Sequence, residues 1–197
     1  MLRRKVLSQI EEWQQEGSRK ALLLTGARQI GKTTAVREFA RQHYANFVEV
    51  NFVKRPIAQQ AFDGDLDTKT VITNLSAMGF GPFVEGKTLV FLDEIQECPN
   101  ARTAIKFLVE DHLYDYIESG SLLGINYKPV PSYPVGYEDE IAMFPLDFEE
   151  FLWASGVSGQ VIDVLRESYR KETPVPDFIH LQMSQYYRQL LIQHLHL

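Results

Sequence analysis

The segment 24–34, LTGARQIGKTT, has glycine, lysine and threonine at a spacing that suits phosphate binding. Glycines let backbone amides approach an anion, and amides at the start of a helix attract negative charge. Lysine adds a positive charge for phosphate oxygens, and a threonine hydroxyl is an oxygen ligand for Mg²⁺. The pattern G-x-x-x-x-G-K-[ST] is met by Gly26, Ala27, Arg28, Gln29, Ile30, Gly31, Lys32 and Thr33, with Thr34 next. The segment therefore predicts a nucleotide-phosphate loop; the alternative is a plain turn with a surface lysine.

Two adjacent acids, Asp93 and Glu94, follow an apolar run, TLVFL. A buried parallel strand presents its carboxyl end at the edge where open α/β sheets bind ligands. We assign Asp93 and Thr33 to Mg²⁺, and Glu94 to the base that polarises an attacking water, with Lys32 as a second catalytic residue. Two acids after a strand are often only solvated surface groups, but together with the glycine-rich loop they predict phosphate chemistry.

Small polar residues end a third apolar segment, YDYIESGS. If its strand lies between the strands that end at Gly26 and Asp93, Ser119 or Ser121 can hydrogen-bond the γ-phosphate or the water. The alternative for either serine is an ordinary strand end. Gln96 is a further candidate for orienting groups in this region.

The elements that must position these residues alternate between strands and helices, which predicts a parallel α/β sheet with right-handed connections. Strands are predicted at 21–25, 46–52, 88–94, 114–121 and 141–146, and a Pro- and Gly-rich loop or hairpin at 126–140. Helices are predicted at 2–16, 33–43, 56–62, 68–78, 101–112, 148–154, 159–171 and 177–195, with Asp147 as the N-cap of the helix at 148–154.

Composition excludes several classes of protein. The chain has 197 residues, a formal net charge of −6 and one cysteine, Cys98, so it forms no intrachain disulfide and has no overall attraction to nucleic acid. No apolar run approaches the ~20 residues of a membrane span. These features predict a cytoplasmic globular chain without a membrane partner. His194 and His196 lack a third neighbouring ligand, so we expect an exposed tail rather than a metal site.

Four segments, LLLTGARQIGKTT, FLDEIQECP, ESGSLLG and FPLDFEEFLWASG, together resemble the bacterial and archaeal AAA-type P-loop ATPases. The resemblance spans residues 2–170. It implies an α/β, three-layer, additional-strand P-loop NTPase fold with sheet order 5-1-4-3-2, and ATP with Mg²⁺ as cofactors. It also implies a Walker A loop at 26–33, a Walker B strand ending at Asp93, and a sensor at Ser119 or Ser121.

The resemblance also bears on domains and partners. It implies an AAA-like domain at 1–156 and a helical extension at 157–197, the start of a missing C-terminal domain that would contact a protein or DNA client. On this basis the chain resembles a truncated protein. Many members have an arginine before the PL-F-EF segment, whereas here none lies between Arg102 and Arg166. Lys128 is the only cation in that loop, so an arginine from another subunit or a partner is an alternative, and homo-oligomerisation stays open.

Three functions follow, in descending order of expectation. The first is Mg²⁺-dependent hydrolysis of ATP to ADP and phosphate, which drives a conformational switch and is slow without a partner. The second is a nucleotide-gated binding module with little turnover, suggested by the missing arginine. The third is a small-molecule kinase, although the loop at 126–140 lacks the arginines expected of a kinase lid. The choice of adenine rests on the resemblance, with Arg4 as a candidate for the adenine pocket.

Overall fold

The computed structural model describes residues 2–17, 19–121 and 131–195, and the side chains of 193–195 are outside that description. The chain divides into two compact units. One is Val6–Phe144, and the other combines Met1–Lys5 with Pro145–Leu197. The residues of the predicted phosphate site all belong to the unit Val6–Phe144.

A five-stranded parallel sheet forms the centre of the unit Val6–Phe144. Its strands are β1 (Ala21–Gly26), β2 (Asn46–Asn51), β3 (Thr88–Asp93), β4 (Asp115–Gly120) and β5 (Glu138–Met143). They lie in the order β2-β3-β4-β1-β5, and every neighbouring pair is parallel. The predicted order 5-1-4-3-2 is therefore confirmed. β1 and β3 are buried along their whole length, as expected of continuous apolar strands covered on both faces.

Helices cover both faces of this sheet and complete a three-layer α/β fold. They are α1 (Lys5–Gln15), α2 (Lys32–His43), α3 (Thr68–Ala77) and α4 (Pro99–Glu110), with 3-10 helices at Pro56–Phe62 and Ile95–Glu97. Residues of α1 and α2, such as Ile10 and Phe39, share a buried cluster with Phe91 of β3. The opposite face of the sheet packs against α3 and α4, for example through Leu75 and Ile105.

The predicted position of the last strand is wrong. The sequence placed 138–140 in the Pro- and Gly-rich loop or hairpin at 126–140 and the strand at 141–146, whereas β5 is Glu138–Met143. The three acids are tolerated because each has a partner. Arg102 donates to Glu138 over 2.8 Å, Lys20 to Asp139 over 2.7 Å and Thr25 to Glu140 over 2.8 Å. Of the predicted loop, residues 126–130 lie outside the described residues.

The other unit contains α5 (Phe148–Ala154), α6 (Gly159–Lys171) and α7 (Asp177–Leu195). Asp147 caps α5 in a reciprocal capping box with Glu150, which confirms the predicted N-cap. Leu152, Ile162 and Met183 form the buried cluster that joins the three helices. None of the described helices of the chain combines the length and apolar character that crossing a membrane requires.

A buried acid, Glu118, lies in β4, which is paired with β1 on one side and β3 on the other. Its side chain is fully buried, and neither of its carboxylate oxygens has a hydrogen-bond partner among the described residues. Burial raises the pKa of Glu118 well above its ordinary value; nearby Glu138 raises it further, and Arg102 opposes both effects. A carboxylate without a partner is costly in an apolar interior, so Glu118 is held in its neutral form.

We expect Glu118→Gln to flatten the pH dependence of stability. Glu118 binds its proton more tightly in the folded chain than in the unfolded one, so protonation of Glu118 stabilises the fold. This stabilisation is complete below the pKa of glutamate in the unfolded chain, about 4.3, and is lost as the pH rises through the pKa in the folded chain. The loss amounts to at most about 1.4 kcal/mol per pH unit. Glutamine is neutral at every pH and lacks this slope. Urea unfolding at a series of pH values between about pH 5 and about pH 8 measures how the free energy of unfolding changes with pH.

The matched control is Glu85→Gln, which removes an exposed acid from the same unit. This control should keep the wild-type slope. Burial also raises the pKa of Glu138, which contributes a slope of the same sign, so Glu118→Gln should reduce the slope rather than abolish it. Equal slopes in wild type and Glu118→Gln would contradict a buried neutral acid.

Candidate functional site

The glycine-rich loop connects β1 to α2 and takes a conformation that its two glycines permit. Gly26 has φ 148° and Gly31 has φ 97°, both in the region that side chains disfavour. A Cβ on Gly26 would also overlap the carbonyl oxygen of Met143 at the end of β5. Gly31 immediately precedes α2, so the loop delivers the chain directly to the amino end of a helix. The first-turn amides of that helix have no carbonyl partner within it and are available to an anion.

Lys32 is the first residue of α2, and its side chain folds back along the loop. Its Nζ donates to the carbonyl oxygens of Gly26 at 2.9 Å and Ala27 at 2.7 Å. Burial lowers the pKa of Lys32, while the negative charges of Glu94 and Asp93 oppose that shift. The ammonium group thus lies within the loop, in the electrostatic field of both acids.

Asp93 is the centre of a buried polar network at the carboxyl edge of the sheet. It is 2% exposed. Its Oδ2 accepts hydrogen bonds from the Thr33 hydroxyl at 3.1 Å and the Asn51 amide at 2.6 Å, and its Oδ1 accepts one from the Ser119 hydroxyl. Three donors orient both oxygens of the carboxylate. The predicted residues Asp93, Thr33 and Ser119 therefore meet at one point.

Sequence reasoning missed Asn51, the last residue of β2. Strand register explains its position, because Asn51 is paired with Asp93, and Asp93 with Ser119, across β2, β3 and β4. The available signal was a polar residue between Val50 and Phe52 at the end of a strand. That signal becomes informative only when β2 is known to lie beside β3.

Glu94 leaves the sheet in a left-handed backbone conformation, with φ 58° and ψ 46°. Non-glycine residues adopt this region rarely, and such residues concentrate at functional sites. Gln96, 5% exposed, donates through Nε2 to Glu94 Oε2 at 2.6 Å. Glu94, which is half-buried, is therefore oriented by Gln96 and takes part in none of the three hydrogen bonds described for Asp93.

The remaining predicted residues occupy varied environments. Ala27, Arg28, Gln29 and Thr34 are exposed, Ile30 packs against the core cluster of α1 and α2, and Ser121 is buried directly after β4. Arg4 lies in the other unit, where its Nε donates to Glu150 at 3.2 Å. Lys128, His196 and the side chain of His194 lie outside the described residues.

The arrangement combines the groups that phosphate chemistry needs at one edge of the sheet. It has an amide-rich loop at a helix start, a lysine, a hydroxyl and an acid in mutual contact, and a second acid with separate support. Thr33 and Asp93 supply the oxygen ligands that Mg²⁺ prefers. The residues present thus fit a nucleoside phosphate with its magnesium ion.

Comparison with known proteins gives a family and two similar folds. A family model described as an AAA domain matches residues 18–152, more than half of the chain. Cdc6p from Pyrobaculum aerophilum is similar in structure with a TM-score of 0.48 and 13% identity, over 75% of this chain and 46% of that chain. PCH-2 from C. elegans is similar with a TM-score of 0.40 and 13% identity, over 84% of this chain and 45% of that chain. The chain spans less than half the length of either structure. No curated protein matches its sequence.

Proposed function

We propose, from the premise that the chain belongs to the AAA domain family, that it binds ATP with Mg²⁺ and hydrolyses it to ADP and phosphate. In this proposal, exchange between the ATP and ADP states drives a conformational switch. The observation that carries the proposal is the set of three hydrogen bonds that orient Asp93 beside the glycine-rich loop. An acid buried and oriented in this way is suited to a metal ion at the phosphates, and its burial would be costly without these partners.

We assign nucleotide binding to the loop at 26–31, Lys32 and Thr34. We assign Mg²⁺ binding to Thr33 and Asp93. The loop amides would hold the β-phosphate, and the Lys32 ammonium would move from the carbonyl oxygens of Gly26 and Ala27 to phosphate oxygens. Magnesium, when bound, neutralises negative charge on the phosphates. Asn51 and Ser119 keep the Asp93 carboxylate in position, and Ser119 or Ser121 can contact the γ-phosphate or the water.

Catalysis is assigned to Glu94, with Lys32 stabilising the developing charge. Glu94 would orient a water for attack on the γ-phosphate and accept its proton. The different hydrogen-bond partners of Asp93 and Glu94 support different roles for the two acids. Asp93 accepts hydrogen bonds from three donors, whereas in the described part of the chain the Glu94 side chain accepts one from Gln96. A carboxylate with fewer donors keeps more capacity to bind a water.

The direct test is phosphate release from ATP by the purified chain, with Mg²⁺ and with the ion removed by EDTA. We expect phosphate release to depend on Mg²⁺. We also expect ATP binding that a separate titration can measure. A chain that neither binds ATP nor releases phosphate would overturn the proposal.

A nucleotide-gated binding module is the second candidate. It is favoured by the state of Arg102, the last arginine before Arg166: Arg102 is 4% exposed and paired with Glu138, and so is not available to a γ-phosphate. The γ-phosphate would then need an arginine supplied by another subunit, which is the basis for proposing a homo-oligomer. Single-turnover kinetics separate the candidates. Fast cleavage followed by slow release supports the ATPase, and bound ATP that stays intact supports the module.

The wider organisation of the protein is also proposed. We retain an AAA-like domain at 1–156 and a helical extension at 157–197, with a protein or DNA client as a proposed partner. A cytoplasmic location is proposed because the single cysteine is a buried thiol: burial raises the pKa of Cys98 to about 11, which keeps it protonated and unreactive.

A further inference from the structure

A cavity lies at the amino ends of β1 and β4, the edge of the sheet opposite to Asp93. Its volume is about 370 Å³, within the range of small-molecule sites. The side chains that define its chemistry are Trp13 of α1, Arg19 and Lys20 before β1, and His112, Tyr114 and Tyr116 around the start of β4. None of these residues takes part in the proposed ATP chemistry.

Aromatic rings form much of the wall of this cavity. Trp13 is 6% exposed and Tyr116 is 1% exposed, so both are held firmly by the core. Tyr114 and Tyr116 meet edge to face with their centroids 6.5 Å apart. Rigid rings of this kind favour a planar apolar ligand, which they can contact by stacking or through their edges.

Two hydrogen-bond donors without acceptors lie behind this wall. Trp13 Nε1 and the Tyr116 hydroxyl are buried and have no hydrogen-bond partner among the described residues. Burial raises the pKa of Tyr116, so its hydroxyl keeps the proton and remains a donor. A buried donor without an acceptor is costly, but these two atoms are enclosed by the core and are not open to the cavity, so the ligand is recognised by the exposed groups around it.

Arg19 gives the cavity a group that can bind an acid. The Arg19 side chain is exposed and takes part in none of the hydrogen bonds or ion pairs found in the described part of the chain. Among the described lining residues, the acid Asp115 accepts a hydrogen bond from Tyr44 at 2.7 Å, and Lys20 is paired with Asp139 at 2.7 Å, so Arg19 is the cation that a ligand would meet. A guanidinium group matches the two oxygens of a carboxylate in planar geometry.

We propose that this cavity binds a planar aromatic compound that carries a single acidic group, with the acid on Arg19 and the ring against Trp13 and Tyr114. A nucleoside triphosphate does not suit it, because the cavity has no glycine-rich loop and no counterpart of the pair Thr33–Asp93. The site is therefore separate from the proposed ATP site and does not depend on it.

The test follows the indole N–H signals of the ¹⁵N-labelled full chain by NMR during titration with 4-nitrobenzoate. The chain has two tryptophans, so Trp153→Phe identifies the Trp13 signal. We expect the Trp13 signal to shift with 4-nitrobenzoate until it saturates, and to shift much less with uncharged 4-nitrobenzyl alcohol. Saturating ATP with Mg²⁺ should leave the response to 4-nitrobenzoate unchanged. Arg19→Ala should weaken binding of 4-nitrobenzoate about tenfold, the usual effect of losing a charged hydrogen bond.

The matched control is Arg188→Ala, which removes an exposed arginine of α7 outside the cavity. It should bind 4-nitrobenzoate as the wild type does. The same spectra report whether Arg19→Ala remains folded. The proposal is overturned by a Trp13 signal that does not move, by equal affinity in wild type and Arg19→Ala, by equal responses to the acid and the alcohol, or by displacement of the probe by ATP.

Discussion

Replacing Glu94 with glutamine is expected to stop ATP turnover while leaving nucleotide binding intact. A positioned base contributes about 100-fold to about 10,000-fold to a rate, so kcat should fall at least about 100-fold. Glutamine has nearly the same shape and keeps an oxygen that can accept the 2.6 Å hydrogen bond from Gln96. The local geometry of the 3-10 helix at Ile95–Glu97 should therefore survive, and the loss should reflect the missing base.

The charge change gives an independent prediction about affinity. Glu94 lies near enough to Lys32 to influence its pKa, so it also acts on the phosphates that Lys32 is proposed to hold. Removing this negative charge reduces repulsion of an anionic ligand. The Kd for ATP should stay the same or fall. Phosphate release at saturating ATP gives kcat, and titration with a fluorescent ATP analogue gives Kd.

Glu97→Gln is the matched control, because it makes the same change in charge three residues further along the chain. We expect it to keep turnover close to wild type. If Glu94→Gln retains full turnover, Glu94 is not the base. If it loses nucleotide binding instead, the residue supports the structure of the site rather than its chemistry.

Replacing Lys32 with methionine is expected to produce the opposite pattern, with loss of ATP binding as the primary defect. Lys32 is 7% exposed, and its ammonium group lies between the glycine-rich loop and the two acids. A charge-assisted hydrogen bond of this kind contributes about 1.5–3 kcal/mol, so Kd should rise about tenfold to about 100-fold. Methionine keeps most of the aliphatic stem, which limits the cavity that alanine would leave.

The measurement is the same nucleotide titration, accompanied by thermal unfolding without nucleotide. Methionine leaves the carbonyl oxygens of Gly26 and Ala27 without their Lys32 donor, so a small loss of stability is expected and must be separated from the loss of affinity. The control is Lys87→Ala, an exposed lysine just before β3, at the other edge of the sheet. Wild-type affinity in Lys32→Met would contradict the proposed role of the loop.

The site could be predicted from sequence only where the chemistry is local. The residues 26–33 are consecutive, and their spacing alone identifies a turn that exposes amides at a helix start. Asp93 and Glu94 are adjacent and follow an apolar strand, so their edge of the sheet was also predictable. Asn51 was not, because its contact with Asp93 joins residues 42 apart and depends on the register of β2 against β3.

The last strand shows the same limit in the fold. Its start at Glu138 was missed because acidic residues are unfavourable in a strand unless partners neutralise them. Those partners, Arg102, Lys20 and Thr25, come from α4, from the segment before β1 and from β1 itself. A pattern of hydrophobicity along the chain does not contain this information.

The amino-acid sequence by itself determined the alternation of strands and helices, the glycine-rich loop at the start of a helix and the two acids at the end of a strand, because each depends on residues close together in the chain. The sheet order came from the family resemblance and agrees with the structure. Only the tertiary structure decided that Thr33, Asn51 and Ser119 all donate to Asp93, that Gln96 supports Glu94, and that Glu118 is buried without a partner. These contacts require strand register and burial, which arise when distant segments pack together.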